Sequence, residues 1–253
     1  ASGLHTRLGD DPELASRLRP GAWIWDLRQE PEGLVVASAR AADLPGYRVL
    51  AVGSDMAVGK MSACLELRAT AVRRGLDARF VGTGQAGILI SGQGVPLDAI
   101  RVDYAAGGVE RAVVEAATDA TARTLLLVEG QGSLCHPGST ATLPLLRGSQ
   151  PTHLLLVHRA GQATIRNAPH IPIPPLPRLI DVVEGLASLA RPRVDTPAPQ
   201  VAAIALNTGH LSQGEADQAL AEAREETGLP CDDPVRHGGD HLLAALLANG
   251  LAC

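Results

Sequence analysis

Five short runs of this chain are apolar at nearly every position: residues 49–53, 78–82, 124–129, 153–158 and 201–206. They are rich in Val, Leu and Ile and do not alternate with polar residues, so both faces of each must be covered. Between and after them lie segments with helical spacing of apolar positions, at 60–74, 108–117, 176–189, 212–227 and 240–248. Gly75 and Gly228 stand where two of these helices should stop. Strand alternating with helix predicts an α/β fold, a doubly wound and mostly parallel sheet with helices on both faces. Ligands of such a sheet gather at the C-terminal ends of its strands.

Two segments break the pattern. Residues 1–46 hold "AWIWDLR" and little else of strand character, and read as the tail of a preceding domain plus linker. The stretch "NAPHIPIPPLPRL", residues 167–179, carries five prolines and is predicted to be an extended loop. "RPRVDTPAPQ", residues 191–200, reads as a surface connection. The expected organisation is one main domain over residues 47–253.

The turn after the first run is "VGSDMAVGKMS". Gly53 ends the strand, five residues follow, and Gly59-Lys60 opens a helix. The usual phosphate-binding loop has four residues between its glycines and a Ser or Thr directly after the lysine, which holds magnesium. Here Met61 takes that place and Ser62 comes one position late. The loop Gly53, Ser54, Asp55, Ala57, Val58, Gly59, Lys60, Met61, Ser62 remains a candidate phosphate cradle, with helix-terminal amides and one ammonium aimed at it. Composition sharpens this reading. The 22 basic residues are 21 arginines and a single lysine, Lys60, and lysine supplies a compact point charge that arginine's planar fork does not copy.

The other predicted strand ends add candidates. After the second, "GTGQAGILISGQG" offers Thr83 and Gln85 as ligand contacts in a glycine-rich loop. After the third, "VEGQGSLCHPG" offers Glu129 as magnesium ligand or general base, with Gln131 toward substrate. His136 and His158 are candidates for proton removal, for which an ordinary imidazole is suited. Arg159 and Arg166 could clamp a carboxylate bidentately. Asn207, ending the fifth run, could meet a base edge or serve as a turn residue. No dedicated metal site is predicted.

Charge and composition exclude other classes. A net charge of −5 and 2 % aromatic residues argue against nucleic-acid binding. No apolar stretch approaches the roughly 18 residues that cross a bilayer. Four scattered cysteines without a C-x-x-C pair fit a reducing cytoplasm, and a homo-oligomer is compatible with the sequence.

With these motifs in place, the chain resembles the DgcN-type D-glutamate N-acetyltransferase family. The resemblance rests on "VGSDMAVGKMSACLEL", "GLDARFVGTGQAGILISGQGVPLDAI", "LLVEGQGSLCHPG", "GSQPTHLLLVH" and "ALNT", and runs on through "GLPCDDPVR". It implies a domain of P-loop NTPase type that holds acetyl-CoA as cosubstrate and acylates the amine of a small amino acid. Residues 1–46 then resemble the end of a smaller Rossmann-like N-terminal domain. More distantly the loop resembles that of dethiobiotin synthetase and its relatives, which use ATP and magnesium to activate a carboxylate. Met61 separates the two expectations, because a thioether is a poor ligand for a hard cation, whereas the pyrophosphate of coenzyme A needs no metal for acyl transfer. An ATP- and magnesium-dependent ligase or kinase is the alternative, and a nucleotide-binding module without catalysis the third reading.

Overall fold

The computed structural model of the chain describes residues 1–192 and 195–248. Its strands are β1 (Tyr47–Gly53), β2 (Ala78–Val81), β3 (Leu125–Val128), β4 (His153–Arg159), β5 (Thr164–Ile165), β6 (Ala168–Pro172), β7 (Gln200–Asn207) and β8 (Cys231–Asp232). Its α-helices are α1 (Pro12–Arg17), α2 (Lys60–Arg73), α3 (Gln85–Ser91), α4 (Val102–Ala116), α5 (Thr142–Ser149), α6 (Leu176–Ala190), α7 (Gln213–Thr227), α8 (Pro234–His237) and α9 (Asp240–Ala248). Six strands form one sheet in the order β2-β3-β1-β4-β7-β8, and every neighbouring pair is parallel. β1, which feeds the lysine loop, lies between β3 and β4, so the loops that follow all three strands meet above it.

The lack of alternation in the strand sequences has its cause in the two cores. Leu50, Val52, Leu126, Val128, Leu154 and Leu156 face one layer of helices, α4 to α7. Val49, Ala51, Leu125, Leu127, Leu155 and Val157 face α2 and α9 on the other side. Each fully buried leucine contributes about 1.5–3 kcal/mol of transfer free energy, and neither face can be polar without forfeiting it. This is the doubly wound α/β architecture expected from the pattern.

Several elements depart from expectation. The helix predicted at 108–117 begins six residues earlier, at Val102. The stretch expected to be a glycine loop contains α3, which starts after Gly84 and ends where Gly92 adopts φ +78°. The proline stretch predicted as extended loop is partly β6, paired antiparallel with β5. Its remainder leads into α6, where Pro177 occupies the first turn, a position that needs no N–H. α5 and β8 had no counterpart in the sequence reading. In the connection 191–200, residues 193 and 194 lie outside the described residues, as do residues 249–253.

Residues 1–46 lie against the sheet domain. Asp11 caps α1 by accepting from the amides of Glu13 and Leu14, and Ala41 enters the core beside α4. The fully buried carboxylate of Glu110 on α4 accepts from the amides of Ser38 (3.1 Å) and Arg40 (2.8 Å) and from Arg40 Nε (2.9 Å). At Gly107 a Cβ would lie 1.7 Å from the Val35 carbonyl oxygen, so only glycine lets this strap approach α4.

Candidate functional site

The lysine loop is built around absent side chains. Ala57 (φ +54°) and Gly59 (φ +112°) both take left-handed backbone, which turns the chain sharply enough to bring Gly53 beside Lys60. A Cβ on Gly53 would lie 2.7 Å from Lys60 Nζ, and one on Gly130 would lie 2.8 Å from Lys60 Cδ and 1.7 Å from the Ala51 carbonyl oxygen. The lysine thus runs in a channel walled by two glycines, with Nζ donating to the Asp55 carbonyl at 2.9 Å. Burial pushes its ammonium down to about 8, partly offset by the charges of Asp55 and Glu129. An ammonium so desolvated gains more than an exposed one from an anionic ligand.

Beside it, Glu129 follows β3 directly. Its Oε2 accepts from the amides of Thr83 (2.8 Å) and Gly84 (3.2 Å), while Thr83 Oγ1 donates to the Glu129 carbonyl at 2.9 Å. Gly87 makes room for this carboxylate, since a Cβ there would lie 2.2 Å from Oε2. Burial raises the Glu129 pKa, against the lowering effects of the two amides and of Lys60. Among the described residues Oε1 has no partner, and it is not sealed from solvent. The side-chain oxygen of Gln131 is buried without a hydrogen-bond donor among the described residues. Gln131 Nε2 and Glu129 Oε1 lie 3.7 and 3.9 Å from one point, the place of a Cβ on Gly84.

Ser54 and Asp55 turn inward. The Ser54 amide donates to the Val157 carbonyl (3.1 Å), its carbonyl accepts from Ser133 Oγ (2.8 Å), and its Oγ lies 2.7 Å from His158 Nδ1. Burial pushes the His158 imidazole down to about 4. The Asp55 carboxylate accepts from Met56 N (2.7 Å), Gln162 Nε2 (2.7 Å) and Arg166 N (2.9 Å). Both side chains brace the loop, Asp55 by tying it to the β5–β6 hairpin. His136 Nδ1 accepts from Gly138 N at 3.0 Å, a local turn.

Two depressions flank the loop. Arg159, Arg166, Gln162 and His210 line a cleft of about 510 Å³ over the hairpin, and neither arginine side chain forms an ion pair with a described residue. An apolar pocket of about 380 Å³ lies on the far side, lined by Val58, Gly59, Ser62, Ala205, Asn207 and Asp233 among others. Asn207 spends one amide hydrogen on the Val58 carbonyl (3.0 Å) and accepts from Gly209 N (3.2 Å), so it braces the loop. Ser62 faces this pocket, and Met61 packs against the core beside α2. Thr83 is buried under Glu129, while Gln85 opens α3 and approaches Gly3.

Sequence reasoning passed over Ser133, Gln162, Gly87, Gly130 and Asp233. The two glycines follow or face Glu129 inside quoted motifs, so a space-making role was available to reading. The partners of Ser133 and Gln162 are 79 and 107 residues away and had no local signal.

Comparison with known proteins adds to this geometry. The P-loop domain described as "Domain of unknown function (DUF1611_C)" matches residues 35–243. A D-glutamate N-acetyltransferase of Tritonibacter scottomollicae is 39 % identical over 250 residues, 98 % of this chain and 72 % of that protein. One of a Pseudoalteromonas species is 34 % identical over 97 % of this chain and 71 % of that protein. The crystal structure of a DUF1611 family protein from Anabaena variabilis superposes with a TM-score of 0.90 at 53 % identity, covering 98 % of this chain and 70 % of that one. With the lysine loop, the glutamate after β3 and the all-parallel sheet in the same chain as these matches, the protein belongs to the DUF1611 family and carries its P-loop domain.

Proposed function

We propose that this chain transfers an acetyl group from acetyl-CoA to the amine of a small acidic amino acid, D-glutamate by its relatives' names. The observation that carries this reading is the carboxylate beside the lysine loop: Glu129, held on Oε2 by two amides, with Oε1 unpartnered among the described residues and not sealed from solvent. An unpaired carboxylate oxygen suits an N–H donor, which an amine supplies.

On this reading the amides of the lysine loop and Lys60 hold the CoA pyrophosphate, and the adenosine lies in the apolar pocket along Asn207 and Asp233. The substrate amine donates to Glu129 Oε1, and Arg159 or Arg166 takes a carboxylate. Glu129, made more basic by burial, accepts the amine proton. The nitrogen lone pair then forms the C–N bond to the thioester carbon, the C–S bond breaks, and the thiolate of CoA takes up a proton as it leaves. Loop amides stabilise the oxyanion between these steps. Met61 supports a metal-free loop, for no hydroxyl follows the lysine to hold magnesium.

The test is N-acetylation of D-glutamate by purified protein in excess EDTA. Turnover from acetyl-CoA without ATP is expected, and Glu129→Gln should lower kcat about 10²–10⁴-fold while acetyl-CoA binding is kept. A strict need for ATP and magnesium would sink the proposal and favour the ligase alternative.

A further inference from the structure

Among the described residues the fully buried Ser54 hydroxyl has one hydrogen-bond partner, Nδ1 of His158, at 2.7 Å. A hydroxyl hydrogen shut away from water needs an acceptor, and here that ring nitrogen is the one within reach. If Nδ1 carried the ring proton instead, it would donate to Oγ and leave the serine hydrogen with nowhere to go. The backbone of Ser54 is held in place. Its amide is held by Val157 and its carbonyl by Ser133 Oγ, which itself accepts from the Cys135 amide at 3.0 Å.

We propose that Ser54 is a positioning residue that fixes His158 as the tautomer with its proton on Nε2, so that the imidazole acts as a neutral hydrogen-bond donor and not as a base. Among the described residues Nε2 has no partner, and it is not sealed in the interior, so its proton is free for a ligand. The ligand atom it fits is an oxygen with a lone pair. Resting on the acyl-transfer reading, that atom is the thioester carbonyl oxygen, on which negative charge grows during attack. His158 then supplies an electrophile, and proton removal falls to Glu129. Burial alone pushes the ring down, and among the described residues no carboxylate is paired with it to draw a second proton onto the imidazole, which agrees with a neutral ring.

The tautomer can be read without turnover. Long-range proton–nitrogen correlation spectra of the ¹⁵N-labelled full chain, with the His158 signals assigned by their loss in His158→Gln, should show the pattern of a ring protonated on Nε2. Ser54→Ala should change that pattern and Ser54→Thr, which keeps the hydroxyl, should restore it. A wild-type ring protonated on Nδ1 would overturn the proposal, and so would a pattern indifferent to Ser54→Ala. Kinetics supply the second arm. Glutamine keeps an N–H donor but no proton-accepting nitrogen, so His158→Gln should stay within about tenfold of wild type while His158→Ala loses on the order of 10²-fold in kcat. Equal loss in both would assign His158 to proton transfer. If the wild-type chain fails to acetylate, the acyl-transfer reading falls, and the spectrum alone decides the tautomer.

Discussion

At the scale of single residues the strongest tension sits on Lys60, a charge held in a glycine channel. Its folded pKa of about 8 lies below the ordinary value of 10.5, so the unfolded chain binds the extra proton more tightly. Between these values the unfolded state carries more protons, and stability must rise with pH through that window, by on the order of 3 kcal/mol in all. Denaturant unfolding at pH 7.5 and at higher pH should show this rise in wild type and not in Lys60→Met; equal slopes in both would remove Lys60 as the cause. A bound phosphate reverses the shift, so ligand binding near pH 8 should take up protons, visible by calorimetry in buffers of different ionisation enthalpy. This residue was legible because composition isolated it: one lysine among 22 basic residues, placed after a glycine. Ser54 and His158 were each visible as candidates, yet their pairing spans 104 residues and depends on β1 and β4 being neighbours. Nothing local in either motif carries that information.

Among elements, strands β1, β2, β3, β4 and β7 could be read because burial on both faces removes alternation. The two-residue strand β8 is too short to have a pattern, and α3 was hidden because Gly82, Gly84, Gly87 and Gly92 give its stretch the look of a loop. Three of those glycines serve packing or capping: Gly82 and Gly87 approach each other, Gly87 admits Glu129, and Gly92 ends the helix. The β5–β6 hairpin was masked by proline, which a two-stranded ribbon tolerates because each strand has a free edge. That hairpin is tied to the lysine loop through Asp55. Asparagine at position 55 has one acceptor oxygen where aspartate has two, so Asp55→Asn must release either Met56 or the hairpin pair. Amide exchange should then accelerate at Arg166 and through residues 164–172 while β1 and β4 stay protected. Unchanged protection at Arg166 would show that the hairpin is held by other contacts. The same variant should weaken the cleft that Arg159 and Arg166 line, raising KM for the amino acid more than for acetyl-CoA.

For the whole molecule, the alternation of strand and helix was enough to foresee the layered fold, whereas the placement of residues 1–46 was not foreseeable. Their hold depends on Glu110, whose burial on α4 gives no sign in a sequence where glutamate is common on helices. Removing its carboxylate takes away three charge-assisted bonds and frees the strap at Ser38 and Arg40. Glu110→Ala should cost about 2 kcal/mol or more, which for a chain of this size lowers Tm by roughly 4–8 °C. A change below one degree in calorimetric scans would mean that the strap adds nothing to global stability.

The sheet order brings the loops after β1, β3 and β4 together, and the central claim is that the lysine loop holds CoA phosphates without metal. Isothermal titration of acetyl-CoA in excess EDTA, into wild type and into Lys60→Ala, tests it most directly. The account predicts saturable binding by the wild type and a loss of about 2 kcal/mol, roughly 30-fold in Kd, in the variant. Equal affinity of the two proteins, or binding of ATP with magnesium where acetyl-CoA gives no heat, would contradict it.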